Sequence, residues 1–302
     1  MRENSPLRRP DHARIGLGVR LLACLLLLPG CSGADSVAQA EEARTRLSQT
    51  EGGQLVLEAI EAHGGLEAWY AAPTSAYAWE YSNFGSNMRF ESYLVADNQS
   101  RRVYHDLRTF GTPDSVQEVD GSFAWDGENA WISPASREDP NPRFWATTGY
   151  YFESIPFVMA DPGVSFLVLP PEELTGTSHD RVMAYYDAGV GDSPGDTYTL
   201  YLDPETRRVT AVLYTVTFGD AYEPPPGEPE PNTSGTLFYY SDYTTVDGLT
   251  VPTRFRGYSY RDGVQGDLRN EAWASEISFH EPFDESRLLM PADGRIEPYS
   301  VQ

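Results

Sequence analysis

Near residue 75 the spacing of apolar residues changes from a helical period to a period of two, and the period of two then persists to residue 279. Before the change, Val56, Ala59, Ile60 and His63 fall at i, i+3, i+4 and i+7, one face of a helix that Gly64–Gly65 stops. A second short helix spans Leu66–Tyr70 and ends before Pro73. After the change, Met88, Phe90 and Leu94 share one parity, Val212, Tyr214, Val216 and Phe218 another, and Trp273, Ser275, Ile277 and Phe279 a third. Strand-like runs are expected near 76–83, 87–96, 101–110, 115–119, 122–126, 129–133, 180–187, 196–203, 208–218, 235–243, 249–260 and 268–279. Asp120–Gly121, Asp126–Gly127, Asp203–Thr206 and Asp247–Gly248 punctuate them as turns. So many closely spaced strands without interleaved long helices exclude a βαβ fold and require an antiparallel meander.

Two stretches break this rhythm. Residues 142–175 carry Phe144, Trp145, Tyr151, Phe152 and Phe157 before the turn Asp161–Pro162–Gly163. The stretch is too apolar for a solvated loop, so helical turns lying against the sheet are expected. Residues 222–232 hold five prolines, which enforce an extended, exposed segment suited to touching an envelope partner.

The N-terminus specifies location. Arg14 and Arg20 precede a short apolar run through Leu21–Leu28, too short to span a bilayer core that needs roughly 20 residues. Residues 1–30 are therefore expected to be a signal peptide. Leu28–Pro29–Gly30–Cys31 resembles the lipobox of bacterial lipoproteins, with Pro29 a departure from the usual small residue. That resemblance implies a lipid-anchored Cys31, and two or three acyl chains make a stable anchor where one does not. Residues 31–50 are polar and small and are expected to be a lipidated tether, leaving 51–302 as one β domain.

Composition narrows the function classes. Loss of residues 1–30 removes five Arg and two acids and takes the formal charge from −23 to −26, so nucleic acid is excluded as a partner. Every basic side chain other than histidine is Arg; there is no Lys. Of the two cysteines, Cys24 leaves with the signal and Cys31 is consumed by lipid, so no disulfide is expected.

Little in the chain carries chemistry. Gly191–Asp192–Ser193–Pro194–Gly195 satisfies the G-x-S-x-G pattern, but that elbow needs a helix after the Ser, and the segment from Asp196 to Leu202 is strand-patterned. His63, His105, His179 and His280 stand far apart in no metal-ligand spacing. His63 is expected to pack or to donate to the last carbonyls of its helix. No enzyme activity, cofactor or metal is expected.

Three segments are similar to the outer-membrane lipoprotein carrier superfamily, the LolA/LolB-like fold: Ala62–Trp69, Tyr198–Thr206 with its Asp-Pro-Glu-Thr turn, and Phe238–Tyr243 running into Val246–Pro252. The resemblance implies an α+β, mostly β fold. A single strongly curved antiparallel sheet, an unclosed barrel, would be covered by an N-terminal helix and the aromatic insertion. It also implies an apolar space that holds lipid or an acyl chain. Phe144, Trp145, Tyr151, Phe152 and Phe157 would form a movable cover, with Trp79 and Trp273 as wall residues. The expected protein is thus an envelope protein anchored through Cys31, at the outer membrane facing the periplasm, binding or carrying an apolar ligand. The alternative is a non-enzymatic assembly protein with a filled core.

Overall fold

The computed structural model describes residues 32–187, 193, 195–220 and 229–298. The signal segment 1–30, Cys31, most of the Gly191–Gly195 motif and residues 221–228 of the Pro-rich loop lie outside the described residues.

Three helices open the chain: α1 (Ser32–Leu47), α2 (Glu51–Ala62) and α3 (Leu66–Ala71). Five strands follow: β1 (Thr74–Asn83), β2 (Met88–Asp97), β3 (Val103–Thr112), β4 (Ser115–Trp125) and β5 (Ala130–Ser133). Helix α4 (Pro142–Glu153) and a single 3-10 turn at Phe157–Ala160 lead into β6 (Val164–Leu174) and β7 (Thr177–Tyr186). Then come β8 (Tyr198–Leu202), β9 (Val209–Tyr214), β10 (Ser234–Val246), β11 (Leu249–Arg261), β12 (Val264–Ser278) and β13 (Arg295–Glu297).

All thirteen strands form one sheet in the order β13-β5-β4-β3-β2-β1-β12-β11-β10-β9-β8-β7-β6. Pairing is antiparallel throughout, for instance Trp79 opposite Ala274 between β1 and β12. The edge strands β6 and β13 are not bonded to each other, so the barrel stays open. The turns are encoded locally. Asp247–Gly248 joins β10 to β11 with φ of 52° and 87°, the two left-handed residues of a tight hairpin. Asp203 Oδ1 accepts from the Glu205 and Thr206 amides at 3.1 and 2.7 Å, and Asp97 Oδ1 repeats the device with Gln99 and Ser100 at 2.9 and 2.8 Å.

Helix α2 seats its predicted face, with Val56, Ala59 and Ile60 buried against the sheet. Thr50 caps its start by accepting from the Gly53 amide at 3.0 Å. Gly64 has φ of 123°, and a Cβ there would lie 2.3 Å from the Gly248 carbonyl oxygen, so the helix end abuts the β10–β11 turn. Trp69 of α3 stacks on Phe157 with ring centroids 4.8 Å apart.

The structure departs from the sequence reading in four places. The segment expected as a tether forms helix α1 over 32–47 and packs on the domain. Its contact stripe is Ala40, Ala43 and Leu47, and with two alanines and a single large apolar residue it reads as polar linker. Residues 115–125 are one strand: Asp120–Gly121 is no turn, because a register shift opposite Leu107–Thr109 absorbs it. The insertion 142–175 ends in an edge strand, β6, whose Pro170–Pro171 coincides with a break in pairing between Leu169 and Glu172. Finally, Glu276 takes φ of 56° and the β1–β12 register slips there. This bulge flips the parity of β12. Ala272 and Ala274 face the core before it, Ile277 and Phe279 after it, and Trp273 is left on the outer face.

A ligand cavity between the sheet and helix α4

Helix α4 lies across the concave side of the sheet. Asn141 starts it by accepting from the Arg143 amide at 2.9 Å, and Pro142 occupies the first turn, where no amide is needed. Gly149 faces the sheet, and a Cβ there would meet the Trp79 indole at 3.2 Å. Two side chains from the sheet hold the helix backbone. Nε2 of His105 donates to the Ala146 carbonyl at 2.8 Å, and the Tyr240 hydroxyl donates to the Phe152 carbonyl at 2.8 Å.

Beside α4 is a cavity of about 930 Å³. Of the seven residues expected at a ligand site, Trp79, Phe144, Trp145, Tyr151 and Phe152 line it. Phe157 does not: it is fully buried between Trp69 and His63 as part of the core. Trp273 does not either, since the bulge at Glu276 puts it on the convex face, with the Arg254 guanidinium 5.9 Å from its ring. Residues missed by the sequence reading complete the wall, among them Tyr81, Tyr186, Tyr198 and Phe238. Tyr214 and Phe218, placed on one face in the sequence, both reach it. The rings interlock: Tyr81 sits 4.5 Å from Trp145, Phe152 4.6 Å from Tyr214 and Tyr151 5.1 Å from Tyr198.

Polar groups also border the cavity, Asn83, Arg143, Arg269 and Asn270 among them, and three arrangements are defined by their bonds. Arg101, in a left-handed conformation with φ of 62°, forms a two-pronged ion pair with Asp161 and also donates to the Tyr150 hydroxyl. The Tyr151 and Tyr186 hydroxyls bond each other. Asp196 accepts from the Thr217 amide at 2.6 Å and its hydroxyl at 2.8 Å; burial pushes its carboxyl up to about 6 against the pull of those bonds.

Three titratable groups are sealed in the packing around the cavity. Burial pushes the Glu153 carboxyl up to about 8; its Oε1 has no partner, and Oε2 has only the Ser154 hydroxyl at 3.4 Å. Burial lowers His105 to about 3, and its Nδ1 accepts from Ser92 at 2.9 Å. His63 falls to about 4, again by burial. It bonds other strands instead of its own helix: Nδ1 donates to the Thr250 carbonyl at 2.7 Å, and Nε2 accepts from the Val209 amide at 3.2 Å.

Among the described residues no group of three His, Cys, Asp or Glu could hold a metal ion. Ser193 borders the cavity, but the next element, β8, is a strand where a nucleophile elbow needs a helix. No described helix is long and apolar enough to cross a membrane.

No family model matches the sequence. No curated protein matches it either. Several solved structures are similar in shape. A LolA superfamily protein from Nitrosomonas europaea is 10% identical, with TM-score 0.46 over 78% of this chain and 96% of its own. A DUF1329 family protein from Desulfovibrio piger is 9% identical, with TM-score 0.35 over 84% and 97%. The Mycobacterium tuberculosis lipoprotein LppX is 10% identical, with TM-score 0.26 over 76% and 97%. The first carries the superfamily name that the sequence motifs suggested.

Proposed function

We propose that this protein is an envelope protein that holds an apolar ligand in the space between its curved sheet and helix α4. The observation that carries the reading is the cavity of about 930 Å³, a size typical of small-molecule sites, with 13 of its 28 lining residues aromatic. A merely structural interior would close up, because protein cores pack to crystal-like density and leave few voids larger than water. The alternative of an assembly protein with a filled core gains nothing from such a space. The role is carriage or shelter, not catalysis: His63 has both ring nitrogens engaged by backbone groups, and the Ser92 hydroxyl that bonds His105 is fully buried and does not line the cavity. Cys31 would hold the domain to a membrane, at the outer membrane facing the periplasm, through its lipid.

Native mass spectrometry of the gently purified full chain tests the ligand reading. An adduct that is released into organic solvent, and that is lost when Val164→Trp fills the cavity, is the expected result. Absence of any adduct, together with no uptake of a fluorescent fatty acid or of a small apolar dye, sinks it. The anchor is tested separately: Cys31→Ser should release the chain from the membrane fraction and abolish labelling by radioactive palmitate.

A further inference from the structure

Resting on the ligand-holding reading, we infer that the occupant is a flat conjugated ring bearing a carbonyl oxygen, of the quinone kind, and not a saturated acyl chain. The wall composition points there. Thirteen of the lining residues are aromatic; the aliphatic ones are three valines, and Leu, Ile and Met are absent from the described lining. A saturated chain is flexible and gains from any apolar surface, best from pliable aliphatic and Met side chains that mould to it. Aromatic walls are rigid and offer slots between flat faces, and offset or edge-on ring contacts add to plain burial. Tyr and Trp faces are electron-rich, so an electron-poor ring is the complement they favour.

The geometry supplies a ring-built stretch of wall. Tyr198 and Tyr214, neighbours across β8 and β9, lie within 15° of parallel with centroids 6.2 Å apart. Tyr151 and Phe152 pack directly on them at 5.1 and 4.6 Å, tilted by 50° and 57°, so a ligand ring would lie against the cavity side of this cluster and not between its members. The polar complement is the Tyr151–Tyr186 hydroxyl pair. When two hydroxyls bond each other, one donates and the other accepts, so the accepting hydroxyl keeps a proton to give. No further acceptor for it is seen among the described residues. A carbonyl oxygen against that wall would take that proton, and an alkyl chain has nothing to offer it.

Equilibrium dialysis of the full chain against menadione (2-methyl-1,4-naphthoquinone) and against palmitate tests the inference. Menadione should bind at least about tenfold more tightly than palmitate. The double variant Tyr151→Phe with Tyr186→Phe keeps both rings and removes both hydroxyls. It should weaken menadione about five- to tenfold, the loss of one hydrogen bond, and leave palmitate unchanged. Palmitate binding as tightly as menadione, or menadione unaffected in the double variant, overturns the quinone assignment while the ligand-holding reading stands. Binding of neither probe overturns both. Circular dichroism of the double variant guards against a trivial loss of fold.

Discussion

Glu153 makes the most decisive test of how the cavity region is built. Its side chain is fully buried at the C-terminal end of α4, with one oxygen unpartnered and the tyrosines 77, 150 and 240 as its charged or polar neighbours. Those hydroxyls are themselves pushed upward by burial and stay neutral, so none offsets a carboxylate charge. The group titrates at 4.5 when exposed and at about 8 in the fold. A raised carboxyl contributes stability that is fully present below 4.5 and is lost as pH rises through 8. The slope is about 1.4 kcal/mol per pH unit. Between pH 6.5 and 8 the protein should therefore lose about 2 kcal/mol through this one group. Glu153→Gln keeps the volume and stays neutral, so its stability should lack that decline. Urea midpoints of both proteins at pH 5.5, 6.5, 7.25 and 8 give the comparison, with the linear slope checked for constancy. The difference between them should grow in favour of the variant across the whole range, by about 1.3 kcal/mol from pH 5.5 to 6.5 and by about 2 kcal/mol from pH 6.5 to 8. Parallel curves would show that Glu153 is solvated or paired in solution, and the sealed packing behind α4 would be wrong.

The acid limb should run the other way. His63 and His105 are held neutral at about 4 and 3 against 6.5 in the unfolded chain, so their contribution is full above pH 6.5 and falls away below it. At pH 5 the two together should cost about 4 kcal/mol relative to pH 7.5, visible in a Glu153→Gln background, where the opposing gain from Glu153 is absent, as a drop in urea midpoint that replacing both by Gln largely removes. Gly149→Val should push α4 off Trp79, costing about 1–3 kcal/mol and lowering the melting temperature, whereas an unchanged melting temperature would mean that the helix floats. Phe152→Ala should cost about 3–5 kcal/mol and weaken retention of an apolar dye. Trp273→Ala, on the convex face, should leave retention unchanged; a loss there would return Trp273 to the wall.

What the sequence disclosed follows from how local each signal is. Val56, Ala59 and Ile60 mark a helix face whatever they pack against, and Asp247–Gly248 makes its turn from two residues alone, so both were legible. Five of the seven aromatic residues expected at the site line the cavity for a related reason: rings gathered in an insertion must lie against something apolar. The misreadings are all cases where a distant partner decides. Nothing near Trp273 announces that Glu276, three residues on, takes a left-handed conformation and reverses the parity of the strand. Phe157 looks like its neighbours in sequence, but the short turn after α4 points it at Trp69, nearly ninety positions earlier. Helix α1 was hidden because its buried stripe is alanine, whose contribution comes from letting helices approach closely and not from apolar bulk. Tyr198 and Phe238 were missed as wall residues because alternation says which face a residue takes and not whether that face is packed or hollow.

Helix α4 was expected as a movable cover, yet the chain fastens it from the sheet side. The carbonyls of Ala146 and Phe152 are held by His105 and Tyr240, and Gly149 seats it on Trp79. Lifting the helix would strip three buried contacts at once and leave the sheet-side donors unsatisfied, at about 1–3 kcal/mol for each orphaned group. His105 itself lies under the helix as a buried neutral ring stacked on Phe123 at 4.1 Å. The helix is therefore a fixed wall. The polar bonds at the border of the cavity are of another kind, at the Arg101–Asp161 pair and at the Tyr151–Tyr186 hydroxyls, where Tyr151 projects from α4 itself. These join side chains to side chains, and exchanging one such partner for a ligand atom leaves the backbone ladder untouched. In a cavity with a pinned roof and exchangeable polar contacts along its border, the shape of the lining side chains, flat and rigid, decides what fits.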